Sequence, residues 1–166
     1  MFVLPNGAVV DVESIFDAME DTGDETAYFL DTITGEVGTV DIVDQKEKMA
    51  TIETNARYIE IPGLLPEIQI DWLEEFINEA LFEEEELAEE LKTTLNQTSA
   101  ETALDACEDV LTRAKGGWLD AWDDWYEDRL LDEMERWFQS LPVKIEEKPC
   151  GQCEDCKHTQ ESSEEE

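Results

Sequence analysis

Thr26-Ala-Tyr-Phe-Leu-Asp-Thr-Ile-Thr-Gly-Glu-Val-Gly-Thr-Val-Asp-Ile42 is the stretch that decides the fold class. Two β-branched and aromatic runs, residues 26–31 and 36–42, flank a short turn in which Gly35 is free to take positive φ. That pattern is a β-hairpin. Downstream, Arg57-Tyr-Ile-Glu-Ile-Pro62 reads as a third strand, stopped by a proline that has no N–H to give to a ladder. Three short strands make a small antiparallel sheet that needs helices against one face. Upstream, Val12, Ile15, Phe16 and Met19 recur at helical spacing behind Asp11, a suitable N-cap. Residues 43–56 are polar and weakly patterned, a loop with room for a short helix.

Everything after Asp71 has helical period. Asp71 is expected to cap a helix whose Leu73, Phe76, Ile77 and Ala80 face inward. The glutamate run at 83–86 interrupts the pattern, which resumes at Leu87, Leu91 and Leu95. Thr98 and Glu101 stand at capping-box spacing before a helix lined by Ala103, Cys107, Val110, Leu111 and Ala114, and Gly116 and Gly117 stop it. The last helix spans residues 118–138 and holds four of the five tryptophans. Tyr126, Leu130, Met134 and Trp137 line one face, while Trp118, Trp122 and Trp125 are centred roughly 120–140° away. One straight helix cannot bury both sets against a single layer. The chain therefore turns near residues 120–123, or the helix is sandwiched, or one aromatic face is left for a partner. The expectation is that the first set is core. Trp122 or Trp125 then stays partly exposed beside Asp120, Asp123 and Asp124.

The fold class that follows is α+β: a three-stranded antiparallel sheet, a mostly helical C-terminal half, and a disordered, acidic, Cys-containing tail. A single domain is expected over residues 1–141, and a flexible tail over 142–166 that does not pack on it. With 41% hydrophobic residues the chain is not wholly disordered.

Charge is the outlier in composition, with 45 Asp and Glu against 11 Lys and Arg and a net charge of −34. Such a chain repels nucleic acid and anionic lipid surfaces, since both are bound through Lys and Arg. No apolar run is long enough to span a bilayer, and the N-terminus has neither a basic n-region nor a long h-region, so a cytoplasmic location is expected.

The order of pieces resembles an uncharacterised bacterial protein family, number 0158, which has no assigned activity. The likeness lies in the short N-terminal helix, Tyr28-Phe-Leu-Asp-Thr-Ile-Thr-Gly-Glu-Val37 and Arg57-Tyr-Ile-Glu-Ile-Pro62. It continues in Leu73-Glu-Glu-Phe76 and in Asp123-Asp-Trp-Tyr126 within a final helix ending near Trp137. Where that family carries a Gly-rich turn and an aromatic, basic stretch, this chain has Thr98-Ser-Ala-Glu-Thr-Ala-Leu-Asp-Ala-Cys107, with neither. The resemblance implies the α+β fold and supplies no active site. The cysteine tail looks like an addition to it.

Chemistry has few places to reside. Cys150, Cys153, Cys156 and His158 put four metal-ligand side chains within nine residues of the tail, a set that would suit zinc. All four sit on one short loop, which makes enclosing a tetrahedral ion awkward, and a tail with reduced thiols is the plainer reading. Otherwise no cofactor is expected. Cys107 falls on an inward stripe as a small core residue. His158 is the only histidine, so no His-based triad can form in the folded part. Neither Gly-x-Ser-x-Gly nor a phosphate-cradling Gly-rich loop is present. Arg129 and Arg136 are expected to neutralise acids on their own helix. The leading functional expectation is a non-enzymatic, acidic interaction module that binds a basic protein partner, with a nucleic-acid mimic as its narrower form. Trp118, Trp122 and Trp125 would be the anchors, and Asp120, Asp123 and Asp124 the steering charges. The alternatives are a metal- or redox-sensing protein acting through the tail, and a carboxylate-based enzyme.

Overall fold

The computed structural model describes residues 1–21 and 23–149. Its elements run β1 (Phe2–Val3), α1 (Val12–Glu20), β2 (Thr26–Asp31), β3 (Val37–Asp41), α2 (Lys46–Glu53) and β4 (Tyr58–Glu60). Four longer helices follow, α3 (Pro66–Glu79), α4 (Glu85–Gln97), α5 (Ala100–Arg113) and α6 (Trp118–Ser140), and then β5 (Glu146–Glu147). The fold is α+β, as the alternation of periods requires. Among the described residues no helix is long and apolar enough to cross a membrane. Packing divides the chain into two compact units, one of Met1–Ile15, Glu25–Glu60 and Phe138–Glu166, the other of Phe16–Asp24 and Ile61–Trp137.

The first unit holds the three-stranded antiparallel sheet in the order β3-β2-β4. Tyr28 faces Thr39 across the hairpin, and Leu30 faces Ile59 on the other side. Ala27, Phe29 and Val40 point to one face and are buried there under Met49 and Ile52 of α2 and the ring of Tyr58. The polar stretch after β3 thus yields a short helix because two apolar residues, three apart, meet that face.

The hairpin turn is fixed from three sides. Gly35 adopts φ 78°, and a Cβ there would collide with the Val9 carbonyl, so only glycine fits the close approach. Asp31 Oδ1 accepts the Ile33 N–H at 2.9 Å, and both carboxylate oxygens take the Arg57 guanidinium, from Nε at 2.8 Å and Nη2 at 2.6 Å. Thr32 returns its N–H and hydroxyl to the Arg57 carbonyl at 2.9 and 2.7 Å. A bidentate Arg–carboxylate pair with added backbone donors is the strong form of an ion pair.

Residues 142–149 differ from expectation. The sequence places them in the tail, but β5 pairs antiparallel with β1, matching Phe2 to Glu147 and Val3 to Glu146, and the Lys148 N–H reaches the Met1 carbonyl at 2.8 Å. Phe2 also meets Phe138 edge-on, with ring centroids 5.3 Å apart. The stretch is therefore part of the first unit, held by backbone bonds that demand no apolar side chains of it. The rest of the expected tail lies outside the described residues.

In the second unit α3 begins earlier than its expected Asp71 cap. Pro66 occupies its first turn, where the missing N–H costs nothing. Ser99, rather than Thr98, precedes α5, because the Thr98 hydroxyl is engaged by the Thr94 carbonyl at 2.8 Å and closes α4. Leu73, Phe76, Ile77, Leu91, Cys107, Val110 and Leu111 are buried, as their spacing indicated. Burial pushes the Cys107 thiol up to about 11, so it stays an unreactive core group.

The α6 helix does not turn. Leu130 and Met134 are buried, Tyr126 and Trp137 are half-buried, and Trp122 is only 1% exposed. Trp122 lies about 40° around the helix from Tyr126, nearer to the core stripe than Trp118 or Trp125, and so it joins the buried arc. The expected tryptophan face is thereby split, with Trp122 in the core and Trp118 and Trp125 at its margin.

Two measurements check this account. Arg57 holds the Asp31 carboxyl down from 3.8 to about 2, with its burial opposing and the backbone donors assisting. The folded protein therefore binds fewer protons than the unfolded chain between those values. The stabilisation is fully present above pH 3.8 and is lost as pH falls through about 2. Asp31→Asn should lower the melting temperature by a few degrees at neutral pH, and the difference from the native chain should close across that acid window. Ending the chain after Leu141 should lower the melting temperature by several degrees relative to ending it after Pro149, by calorimetry, because β5 is lost.

Candidate functional site

The second unit contains an acidic cleft of about 410 Å³. The α5 helix supplies Glu101, Asp105 and Glu108, at i, i+4 and i+7, so their carboxylates share one helix face. The α6 helix adds Trp122, Asp123 and Tyr126, the first turn of α3 adds Pro66 and Gln69, and Glu20 comes from the end of α1. Among the described residues, five carboxylates line the cleft and no Lys or Arg does.

The aromatic floor is fixed by ring packing. Phe76 on α3 meets Trp122 at 5.4 Å and Trp125 at 5.8 Å between centroids, both edge to face, and Trp72 meets Tyr126 at 5.5 Å in the same manner. Such geometry sets the positive edge of one ring on the negative face of another. Two polar bonds then lock the floor to the walls. Gln69, the one buried polar side chain among the described residues, donates Nε2–H to the Tyr126 hydroxyl at 2.8 Å. Trp122 donates Nε1–H to Glu108 Oε1 at 3.4 Å.

This environment strains two titratable groups. The Glu108 carboxyl is raised above its ordinary 4.5, first by burial, with Asp105, Asp123 and Glu20 adding to the rise and the Trp122 N–H opposing it. The Tyr126 hydroxyl is pushed far up, again chiefly by burial, and remains a neutral phenol at any physiological pH. The cleft can accept positive charge and seat an apolar stem against the half-buried Tyr126 ring. Among the described residues no three His, Cys, Asp or Glu side chains are gathered so as to hold a metal ion, so these carboxylates form a diffuse negative lining.

Of the residues singled out from the sequence as a partner surface, Trp122 and Asp123 line this cleft; Trp118, Trp125, Asp120 and Asp124 do not. Trp125 is engaged elsewhere. The Arg129 guanidinium sits over its ring at 4.8 Å and pairs with Glu75 of α3 at 2.9 Å, instead of neutralising acids on its own helix. Arg136 does pair with Glu133 on α6, as its spacing indicated. The Cys150, Cys153, Cys156 and His158 set lies outside the described residues. Sequence reading missed Gln69, Tyr126, Glu20 and the α5 acids as site residues. The one available signal was the i, i+4, i+7 spacing of Glu101, Asp105 and Glu108.

Glu108 gives a direct test of the cleft's electrostatics. Its folded-state value is raised, so the folded protein binds more protons than the unfolded chain above pH 4.5, and the charged carboxylate costs stability there. Glu108→Gln keeps an acceptor for Trp122 and removes the charge. It should raise the melting temperature at neutral pH, and the gain should vanish as pH falls below about 4.5. A gain that persisted unchanged at acid pH would assign it to something other than charge.

Among known proteins, the model of the uncharacterised protein family UPF0158 matches residues 5–148. No curated protein and no solved structure matches the chain.

Proposed function

The chain belongs to the UPF0158 family, which has no assigned activity, and we propose on the chain's own geometry that it is an interaction module whose acidic cleft receives a cationic side chain of a basic partner. The observation that carries this reading is a lining, among the described residues, of five carboxylates with no Lys or Arg, set over an aromatic floor. A Lys or Arg side chain fits such a site in both its parts. Its aliphatic stem lies along the half-buried ring of Tyr126, and its charged head meets Asp105, Glu108 and Asp123. Part of the cost of holding Glu108 ionised is then relieved on binding, which converts the site's own strain into affinity. The surrounding negative field speeds the approach of a basic partner and makes it sensitive to salt. The narrower reading, a nucleic-acid mimic, would require carboxylates at regular spacing along an extended face, and the cleft is concave.

A second reading rests on Glu108 alone. A carboxyl held protonated to higher pH inside a cleft is the environment of a general acid, and a carboxylate-based enzyme would use it so.

Titration calorimetry with tetralysine tests the binding reading. The native chain should bind it at low salt and more weakly at high salt. Asp105→Asn, Glu108→Gln and Asp123→Asn together should weaken binding by about tenfold or more, as loss of desolvated charge pairs does. Neutralising Glu83, Glu84 and Glu86 removes the same charge outside the cleft and should change binding little. Equal loss in both triple variants would reduce the effect to net charge and sink the proposal.

A further inference from the structure

The sheet of the first unit leaves one edge open. Asp31 N–H bonds to the Glu36 carbonyl and Ile42 N–H to the Glu25 carbonyl, which fixes the alternation along the hairpin. With the register that pairs Phe29 to Gly38 and Ala27 to Val40, residues 36, 38, 40 and 42 turn their backbone groups toward β2. Val37 and Thr39 therefore present N–H and C=O on the outer side of β3, and no hydrogen bond among the described residues reaches those four groups. Gly38, Thr39 and Asp41 are exposed and Val37 is half-buried, so the edge is not covered. The opposite edge is less open. The β4 strand has three residues, and the Tyr58 N–H already bonds to the Asn55 carbonyl at 3.0 Å.

Soluble proteins usually blunt such an edge with Lys, Pro or a bulge, and β3 has none of these. We propose that the outer edge of β3 takes an extended, basic segment of a partner protein as an added strand, through the backbone groups of Val37 and Thr39. The occupant's charge follows from the sequence of the edge. Residues 36–44 contain Glu36, Asp41 and Asp44 and no Lys or Arg, so Lys or Arg at the flanks of the incoming strand is favoured. A second copy of this chain is the wrong occupant, because its net charge of −34 opposes self-association. Ile42 and Val43, 37% and 63% exposed, lie just past the strand and offer an apolar contact to an aliphatic residue at one end of the segment. Main-chain bonds supply the attachment and these side chains the choice of partner, as in strand addition generally. The inference is independent of the cleft, which lies in the other unit.

Amide hydrogen exchange, read residue by residue by NMR on the full chain, tests it. The probe is the acetylated, amidated peptide Lys-Val-Thr-Val-Lys-Val-Lys, with a control in which Glu replaces each Lys. In the free protein the Val37 and Thr39 amides should exchange quickly and those of Gly38 and Val40 slowly. Excess basic peptide should slow Val37 and Thr39 by about tenfold or more while the Glu control leaves them unchanged. Thr39→Pro removes an outward N–H that β2 does not use, so the hairpin ladder is kept, and the Val37 effect should disappear. Unchanged exchange at both amides of the native chain, equal protection by the Glu peptide, or retained protection in Thr39→Pro would each overturn the proposal.

Discussion

Phe76 meets both Trp122 and Trp125 in edge-to-face geometry, and that three-ring contact joins α3 to α6. Aromatic pairs of this geometry add about 0.5–1.5 kcal/mol each beyond the area they bury. Their larger consequence is positional. Once Phe76 is fixed, Gln69 two turns earlier on α3 comes within 2.8 Å of the Tyr126 hydroxyl, and Trp122 turns its N–H toward Glu108 on α5. The cleft is what remains open between these locked helices. Its floor belongs to the core of the unit, so its shape is set by packing and not by loop conformation.

Charge is the second constraint. With so few cations in the chain, where each one goes is informative. Arg57 holds the hairpin, Arg129 joins α6 to α3, Arg113 reaches Glu90 across α5 and α4, and Lys144 pairs with Glu146 beside the β1–β5 ribbon. Exposed pairs of this kind contribute little individually. The Asp31–Arg57 pair differs, because it is bidentate and shares its carboxylate with the turn's backbone. The cations paired among the described residues therefore serve the scaffold, and none of them lines the cleft. That distribution, more than the total of −34, is what supports a site for someone else's positive charge.

Much of the fold was legible in the residues. The β-branched alternation at 26–42 located the hairpin, and the helical stripes located the buried residues of α3, α4 and α5. What failed to show was whatever lacked a period. Two-residue strands such as β1 and β5 are too short to alternate, and their bonds come from backbone that any sequence carries. Pro66 reads as a breaker from the left and as an opener only once its helix is seen. Of the two tryptophans expected to offer a partly exposed ring, Trp125 does so, while Trp122 is buried because it stands four residues before Tyr126. The cleft itself draws on four elements, and its acids repeat on α5 in a chain where acids are too common to stand out.

Trp122 and Glu108 together explain why the site can be read from energetics at all. A half-buried carboxylate with no cation, faced by Asp105, Asp123 and Glu20, destabilises the fold, and the Trp122 N–H at 3.4 Å offsets only part of that cost. A chain selected for stability alone would place an apolar residue or a lysine there. Gln69, the buried polar side chain of the unit, has its partner in the Tyr126 hydroxyl, whereas Glu108 is set among acids, which makes it informative. Because Trp122 also fills the core, its removal would disturb folding and recognition together. Glu108 bears on the cleft's electrostatics with far less packing attached, so the functional reading stands or falls with the carboxylate and not with the ring beneath it.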